Sequence, residues 1–264
     1  RNMTRPPNHP FLRNPVRLNK LLARHGLCSR RQADEWIRAG RVSVDGLIQR
    51  ELGTQVDPTR QTVAVDGRPL EQAPPYLYLA LHKPVGVVTT RDDPQGRKTV
   101  LDLLPEPWTG QGLFPVGRLD SDSSGLLLLT NDGDWSQILL HPRHQVWKEY
   151  WVITDQVLTR EQRKRLEQGV MLDHKKTAPA RITLVKSGGE NSRRFQIAIR
   201  EGRNRQIRRM CAAVGLHVVS LQRIRIGPIT LGELPPGICR PLTQAEVDSI
   251  FHLSQGRNPP ESCT

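Results

Sequence analysis

Residues 117–133 read GRLDSDSSGLLLLTNDG. The four consecutive leucines, Leu126 to Leu129, are bounded by a Ser-rich turn on one side and Asn-Asp-Gly on the other. A short apolar run closed off by turn residues predicts a buried strand. Asp120 then stands on a loop leading into the core, held by packing yet open to a ligand, a place where chemistry is often carried. Taken alone, a loop aspartate is more often a turn residue that accepts backbone N–H groups.

Outward from this run the pattern is one of strands, predicted at 77–81, 85–89, 126–130, 150–153, 182–185 and 195–199. In the last of these Phe195, Ile197 and Ile199 alternate with Arg194, Gln196 and Arg200, which suits a half-buried strand. Helical patterns fall at 159–168 and 205–214. Strands outnumber helices without regular βαβ alternation. The expected fold class is therefore α+β, a mixed, mainly antiparallel sheet with flanking helices.

The first quarter of the chain reads differently. Residues 1–15 hold four prolines and no apolar periodicity, the composition of a disordered arm. Leu18, Leu21 and Leu22 recur at helical spacing, and Gly26 is placed to end that helix. Ser29 followed by Gln32 is a capping-box signature for a second helix burying Ala33, Trp36 and Ile37 and stopping at Gly40. Val42 and Val44 lead into an Asp45-Gly46 turn, and Val63 and Val65 into Asp66-Gly67. Glu71 to Pro75 reads as a linker. The expected divisions are an arm at 1–15, a small module with its linker at 16–73, a larger domain at 76–254 and a loose tail at 255–264.

With 39 basic and 26 acidic residues the chain carries a formal charge of +13, and a pI near 10.3 points to a polyanionic partner. The longest apolar run falls far short of the roughly 18 residues that cross a bilayer, and RNMTRPPNHP lacks the apolar segment of a secretory signal. Cys28, Cys211, Cys239 and Cys263 form no CxxC pair, which suits reduced thiols in a cytoplasm. His141 and His144 make an HxxH without further ligands, so no metal is expected.

Three segments of the larger domain stand out: Asp120 in its loop, Lys148-Glu149-Tyr150 opening a strand, and residues 202–210, GRNRQIRRM. Ile207, Met210, Cys211 and Val214 form an apolar helical stripe, with Gly215 at the C-cap. On that wheel Arg208 lies beside the stripe, where a carboxylate is its natural partner, while Arg205 and Arg209 point away and can serve phosphates. Singly, a turn aspartate, a core tyrosine and a structural arginine account for all three.

Together they do not. GRLDSDSSGLLLLTND closely resembles the signature of the RsuA/RluB/RluE/RluF family of ribosomal RNA pseudouridine synthases. KEYWV is similar to that family's second motif, EGRNRQIRRM to its third, and HKPVGVVTT at 82–90 to its Lys-Pro segment. Two short helices, the SRRQAD turn and GRVSVDG resemble an S4 domain, a small RNA-binding module, over about residues 16–63. The resemblance spans roughly residues 16–251, with the motifs in order.

It implies that Asp120 is the catalytic aspartate, Tyr150 the aromatic that stacks on the target base, and Arg208 the cation paired with Asp120. Arg118, beside the aspartate, is expected to hold a flanking phosphate or fill the gap left by a flipped base. The further residues expected to meet RNA are Arg17, Lys20, Arg30, Arg31, Arg38 and Arg41 in the S4 module. Lys83, Arg203, Arg205 and Arg209 complete the set. Uridine becomes pseudouridine when the C1′–N1 bond breaks, the uracil turns over and its C5 joins C1′. Atoms are only rearranged, so no cofactor is expected. A carboxylate can attack the sugar or assist glycal formation, and both routes stay open.

The expected partner is ribosomal RNA, with a lean to the large subunit (23S), for a cytoplasmic monomer. The competing expectation is a non-catalytic S4-containing RNA-binding or ribosome-assembly factor, which the charge and the S4 pattern fit equally well.

Overall fold

The computed structural model describes residues 15–71, 73–90, 93–185 and 192–254. The arm expected over 1–15 (Pro15 apart), the tail expected at 255–264 and Cys263 lie outside the described residues. The chain divides into two compact units.

The first unit runs to Tyr78 and includes residues 105–114 and 130–134. Helices α1 (Leu18–Arg24) and α2 (Arg30–Arg38) form where the apolar spacing predicts them. Leu18, Leu21 and Leu22 from α1 meet Ala33, Ile37, Val42, Val44, Val56 and Val63 in one buried cluster. Both halves of the Ser29–Gln32 capping box are present, at 3.2 and 2.9 Å.

Strands Val42–Val44 and Val63–Val65 pair antiparallel at the centre of a four-stranded sheet. The Asp45-Gly46 and Asp66-Gly67 turns have both residues at positive φ, the condition for a two-residue hairpin turn of the primed type. Trp36 departs from expectation. It is only half-buried, packed against the buried cluster and carrying the Arg41 guanidinium 4.6 Å from its ring centre. The end of the predicted linker is also tied down. Asn131 accepts from the Leu77 N–H and donates to the carbonyls of Pro75 and Gln111, at 2.9, 3.0 and 3.2 Å.

The second unit is built on a nine-stranded sheet. Its main strands are β1 (Tyr78–Lys83), β2 (Ser124–Thr130), β3 (Lys148–Thr154), β4 (Arg181–Leu184), β5 (Arg194–Ile199), β6 (Val218–Ile226) and β7 (Cys239–Pro241), in the order β4-β5-β3-β6-β2-β1-β7. β6 and β2 pair in parallel; β3–β5, β4–β5, β3–β6 and β1–β7 pair antiparallel. Helices α3 (Gly133–Leu140), α4 (Arg160–Gln168), α5 (Gln206–Ala213) and α6 (Gln244–Leu253) flank it. Leu126 to Leu129 have no exposed surface, as their unbroken apolar run predicts.

Two departures from the sequence reading matter for the site. β6, the longest strand, mixes Gln222, Arg223 and Arg225 with its apolar residues, so no clean alternation marks it. The strand predicted at 85–89 does not form. Val85 is 64% exposed and Gly86 sits at φ +90°, leaving only an isolated bridge from Val88 to Thr99.

Candidate active site

The chemistry-bearing residues converge at the ends of β2, β3 and β6. The loop 117–123 reaches β2 with Leu119 buried and Asp120 partly exposed. The segment after β1 holds this loop in place. The Gly86 N–H donates to the Ser121 carbonyl at 2.7 Å, and Thr89 both donates to the Leu119 carbonyl at 2.7 Å and accepts from its N–H at 3.2 Å. Residues 82–90 therefore act as a clamp, not as a strand.

Lys83 does not face the surface as an RNA contact would. It was expected to face phosphates, yet it is fully buried, and its ammonium donates to the carbonyls of Pro84 and Val87 at 2.8 Å each. Burial pulls its pKa down to about 8, opposed by the charges of Asp120 and Asp122. Apolar stems and carbonyls around an ammonium leave no surface from which it reaches RNA.

A cleft of about 690 Å³ opens beside Asp120, within the size range of small-ligand sites. Its lining includes Arg118, Asp120, Lys148, Tyr150, Arg203, Arg205 and Arg223. Tyr150 is 7% exposed, and among the described residues its hydroxyl has no hydrogen-bond partner. Alternation along β3 puts Lys148 and Tyr150 on this face and Glu149 and Trp151 on the other, where they line a separate hollow.

The expected ion pair between Arg208 and Asp120 is not formed. Arg205 is the cation within reach of Asp120, at 3.4 Å, and it also grips Asp122 through two bonds of 3.0 and 2.8 Å. Arg208 turns instead to the loop backbone. It donates to the carbonyls of Asp122 at 2.8 Å and Val218 at 3.2 Å, with its Nε 3.4 Å from the Asp122 carboxylate.

The physical reason lies in one residue. Arg205 is the N-cap of α5, in the left-handed region at φ +48°, so the helical wheel that aimed it away from the stripe does not extend to it. The two guanidiniums hold the Asp122 carboxyl below the usual carboxylate range, chiefly through the hydrogen bonds from Arg205.

The remaining basic residues are variously engaged. Arg203 donates to the carbonyls of Lys175 and Lys176 at 2.9 and 2.7 Å, stapling a hairpin. Arg209 pairs with Asp173 at 2.6 Å, Lys20 with Asp134 at 2.6 Å, and Arg41 with Asp66 at 2.6 Å. Arg17, Arg30, Arg31, Arg38 and Arg118 are exposed.

This division of labour has a measurable consequence. Arg205→Met removes the cation at Asp120 and is expected to slow turnover by about tenfold or more with little change in melting temperature. Arg208→Met removes the loop clamp and is expected to lower both turnover and melting temperature. Parallel single-turnover rates and thermal melts check this; two variants with the same profile contradict it.

Asp120, Tyr150 and Arg205 stand around one cleft, whereas Arg208, the cation expected beside Asp120, is absent from its lining. The family model for RNA pseudouridylate synthase matches residues 77–213, and the S4 domain model matches residues 16–61. The chain belongs to the RNA pseudouridylate synthase family. Pseudouridine synthases are isomerases, and this chain carries the S4 module in front of the catalytic fold. It is 39% identical over 244 residues to ribosomal large subunit pseudouridine synthase B of Bacillus subtilis (strain 168), covering 92% of this chain and 98% of that one. It is also 41% identical over 238 residues to ribosomal small subunit pseudouridine synthase A of Escherichia coli (strain K12), covering 89% and 100%. A crystal structure of a pseudouridylate synthase superposes with a TM-score of 0.64 at 32% identity, covering 89% of this chain and 99% of that one.

The sequence pointed to Asp120 and Tyr150 but missed Lys148, Arg223 and the clamp at Thr89. For the first, a signal was present: Lys148 lies two residues before Tyr150 and so shares its face.

Proposed function

We propose that this pseudouridine synthase isomerises a single uridine of ribosomal RNA, in the large subunit, with Asp120 as the carboxylate that acts at the sugar and Tyr150 as the platform for the flipped base. The observation that carries this reading is the cleft itself. A carboxylate and an aromatic face stand together among several cations, at a place where a pure binding surface has no use for a negative charge. Taking a base out of the stack costs a few kcal/mol, and stacking on an aromatic ring offsets part of that. The exposed arginines of the S4 module supply sequence-independent attraction to phosphates.

A second target has support of its own, since the small-subunit relative is as similar as the large-subunit one. The test is to incubate the protein with unmodified 23S and 16S transcripts and map pseudouridines chemically. One new site in 23S RNA is expected. A site in 16S RNA alone reassigns the substrate, and none in either overturns the function.

A further inference from the structure

Lys148 and Arg223 are two cations that line the Asp120 cleft and have no carboxylate partner among the described residues. Lys148 opens β3 on the face of Tyr150, and Arg223 stands directly opposite Tyr150 in the β3–β6 ladder. A register shift between Glu149 and Tyr150 in that ladder brings Arg223 onto the cleft side. Arg223 is 4% exposed. Its Nε donates to the Leu126 carbonyl at 2.8 Å, which leaves one terminal nitrogen buried with no hydrogen-bond partner. Lys148 forms no hydrogen bond or ion pair among the described residues.

The two acids that line the cleft are occupied elsewhere. Asp120 is with Arg205, while Glu201 accepts from the Ala178 N–H at 2.9 Å and from Gln206 at 2.6 Å. Burial and the neighbouring charge of Arg223 pull the Lys148 pKa down to about 8. A buried donor without an acceptor is expensive, and two adjacent unneutralised cations more so, unless a ligand completes them.

We infer that Lys148 and Arg223 form an oxygen-binding subsite for the carbonyls of the target uracil, stabilising the negative charge the base acquires as it leaves the sugar. This rests on the assignment of Asp120 above. When the C1′–N1 bond breaks, its electron pair passes to the uracil, whose charge spreads over N1, O2 and O4. C1′ is taken up by an Asp120 oxygen, or loses a neighbouring proton to it. Either way the base is an anion until C5 bonds to C1′: on the first route the Asp120–C1′ bond breaks and its electron pair returns to the carboxylate, on the second Asp120 gives the proton back to C2′. The C5 proton then departs and N1 gains one. Cations fixed in advance at the place where charge develops lower that barrier, most effectively in a cleft with little water. Placed beside Tyr150, they meet the edge of a base stacked on its ring.

The experiment compares Lys148→Met, Lys148→Gln and Lys148→Arg in the full chain, on whichever rRNA transcript the parent modifies. The expected result for Met and Gln is a fall in kcat of about a hundredfold with KM within threefold. Their melting temperatures should match or exceed the parent's, because an unpaired buried cation is gone. Lys148→Arg should keep kcat within about tenfold. An unchanged kcat in Met and Gln overturns the subsite, as does a rise in KM alone, which marks a ground-state phosphate contact. Equal losses in Gln and Arg, or a lowered melting temperature in all three, also overturn it. Asp120→Asn assayed alongside separates the two ideas. Retained turnover there sinks the Asp120 assignment, whereas a dead Asp120→Asn with a fully active Lys148→Met sinks only the subsite.

Discussion

Asp120→Asn is expected to bind RNA almost as tightly as the parent chain and to form pseudouridine at least about a thousandfold more slowly. The two side chains have nearly the same shape, so the loop between Leu119 and β2 keeps its packing. Its clamps are the Gly86 N–H and the Thr89 hydroxyl, both bonded to the loop backbone, which the substitution does not touch. Arg205 keeps its two bonds to Asp122, so the cation also stays in place. Only the nucleophilic or basic oxygen is lost, since an amide neither attacks C1′ nor takes a proton from the ribose. RNA binding draws on many phosphate contacts and changes little when one carboxylate becomes neutral. Chemical mapping of the transcript set against filter-binding affinity checks both halves. Turnover above about one per cent of the parent's rules out a direct role for Asp120.

Gly125→Ala is expected to destabilise the fold severely. In the parallel pairing of β2 with β6, Gly125 faces Arg223, and a Cβ at this position would sit 2.1 Å from the Arg223 carbonyl oxygen and 2.6 Å from its nitrogen. Neither contact is with a flexible side chain, so relief requires the two strands to part. Gly125 also has φ +107°, a conformation alanine adopts only with strain. Clash and strain together cost on the order of 3–5 kcal/mol, a large share of the 5–15 kcal/mol that holds a typical domain together. Urea unfolding and soluble yield measure it. A midpoint that translates to less than about 1 kcal/mol of loss contradicts the prediction. The site would suffer too, because this pairing sets Arg223 against the strand that follows the Asp120 loop.

Much of this was legible in the sequence. The S4 helices and their core follow from leucine spacing and a capping box, because both are local interactions within a few residues. The leucine run at 126–129 announces a buried strand whatever covers it. Tyr150 and Lys148 share a face because strand alternation is a property of the backbone. Less was legible for the site. The strand expected at 85–89 is a clamp, because the Gly86 N–H and the Thr89 hydroxyl bond to the Asp120 loop and the Val88 backbone bonds to Lys98 and Val100 instead of to a sheet neighbour. Lys83 has the charge of an RNA contact, but two carbonyls and the surrounding chain enclose it.

The arginines show the boundary most clearly. A helical wheel gives the direction of each side chain only as far as the helix is regular. Arg205 lies one residue outside it, in a left-handed turn, and so reaches the carboxylates that the wheel assigned to Arg208. The sequence by itself determined the family and the two-part α+β organisation, and it singled out the carboxylate proposed to act at the sugar, since these rest on local patterns and long motifs. Which cation attends Asp120, and that Lys148 and Arg223 stand unpaired beside it, was decided only by the tertiary structure. Such meetings join residues far apart in the chain, and the sheet pairings that create them have no local signature.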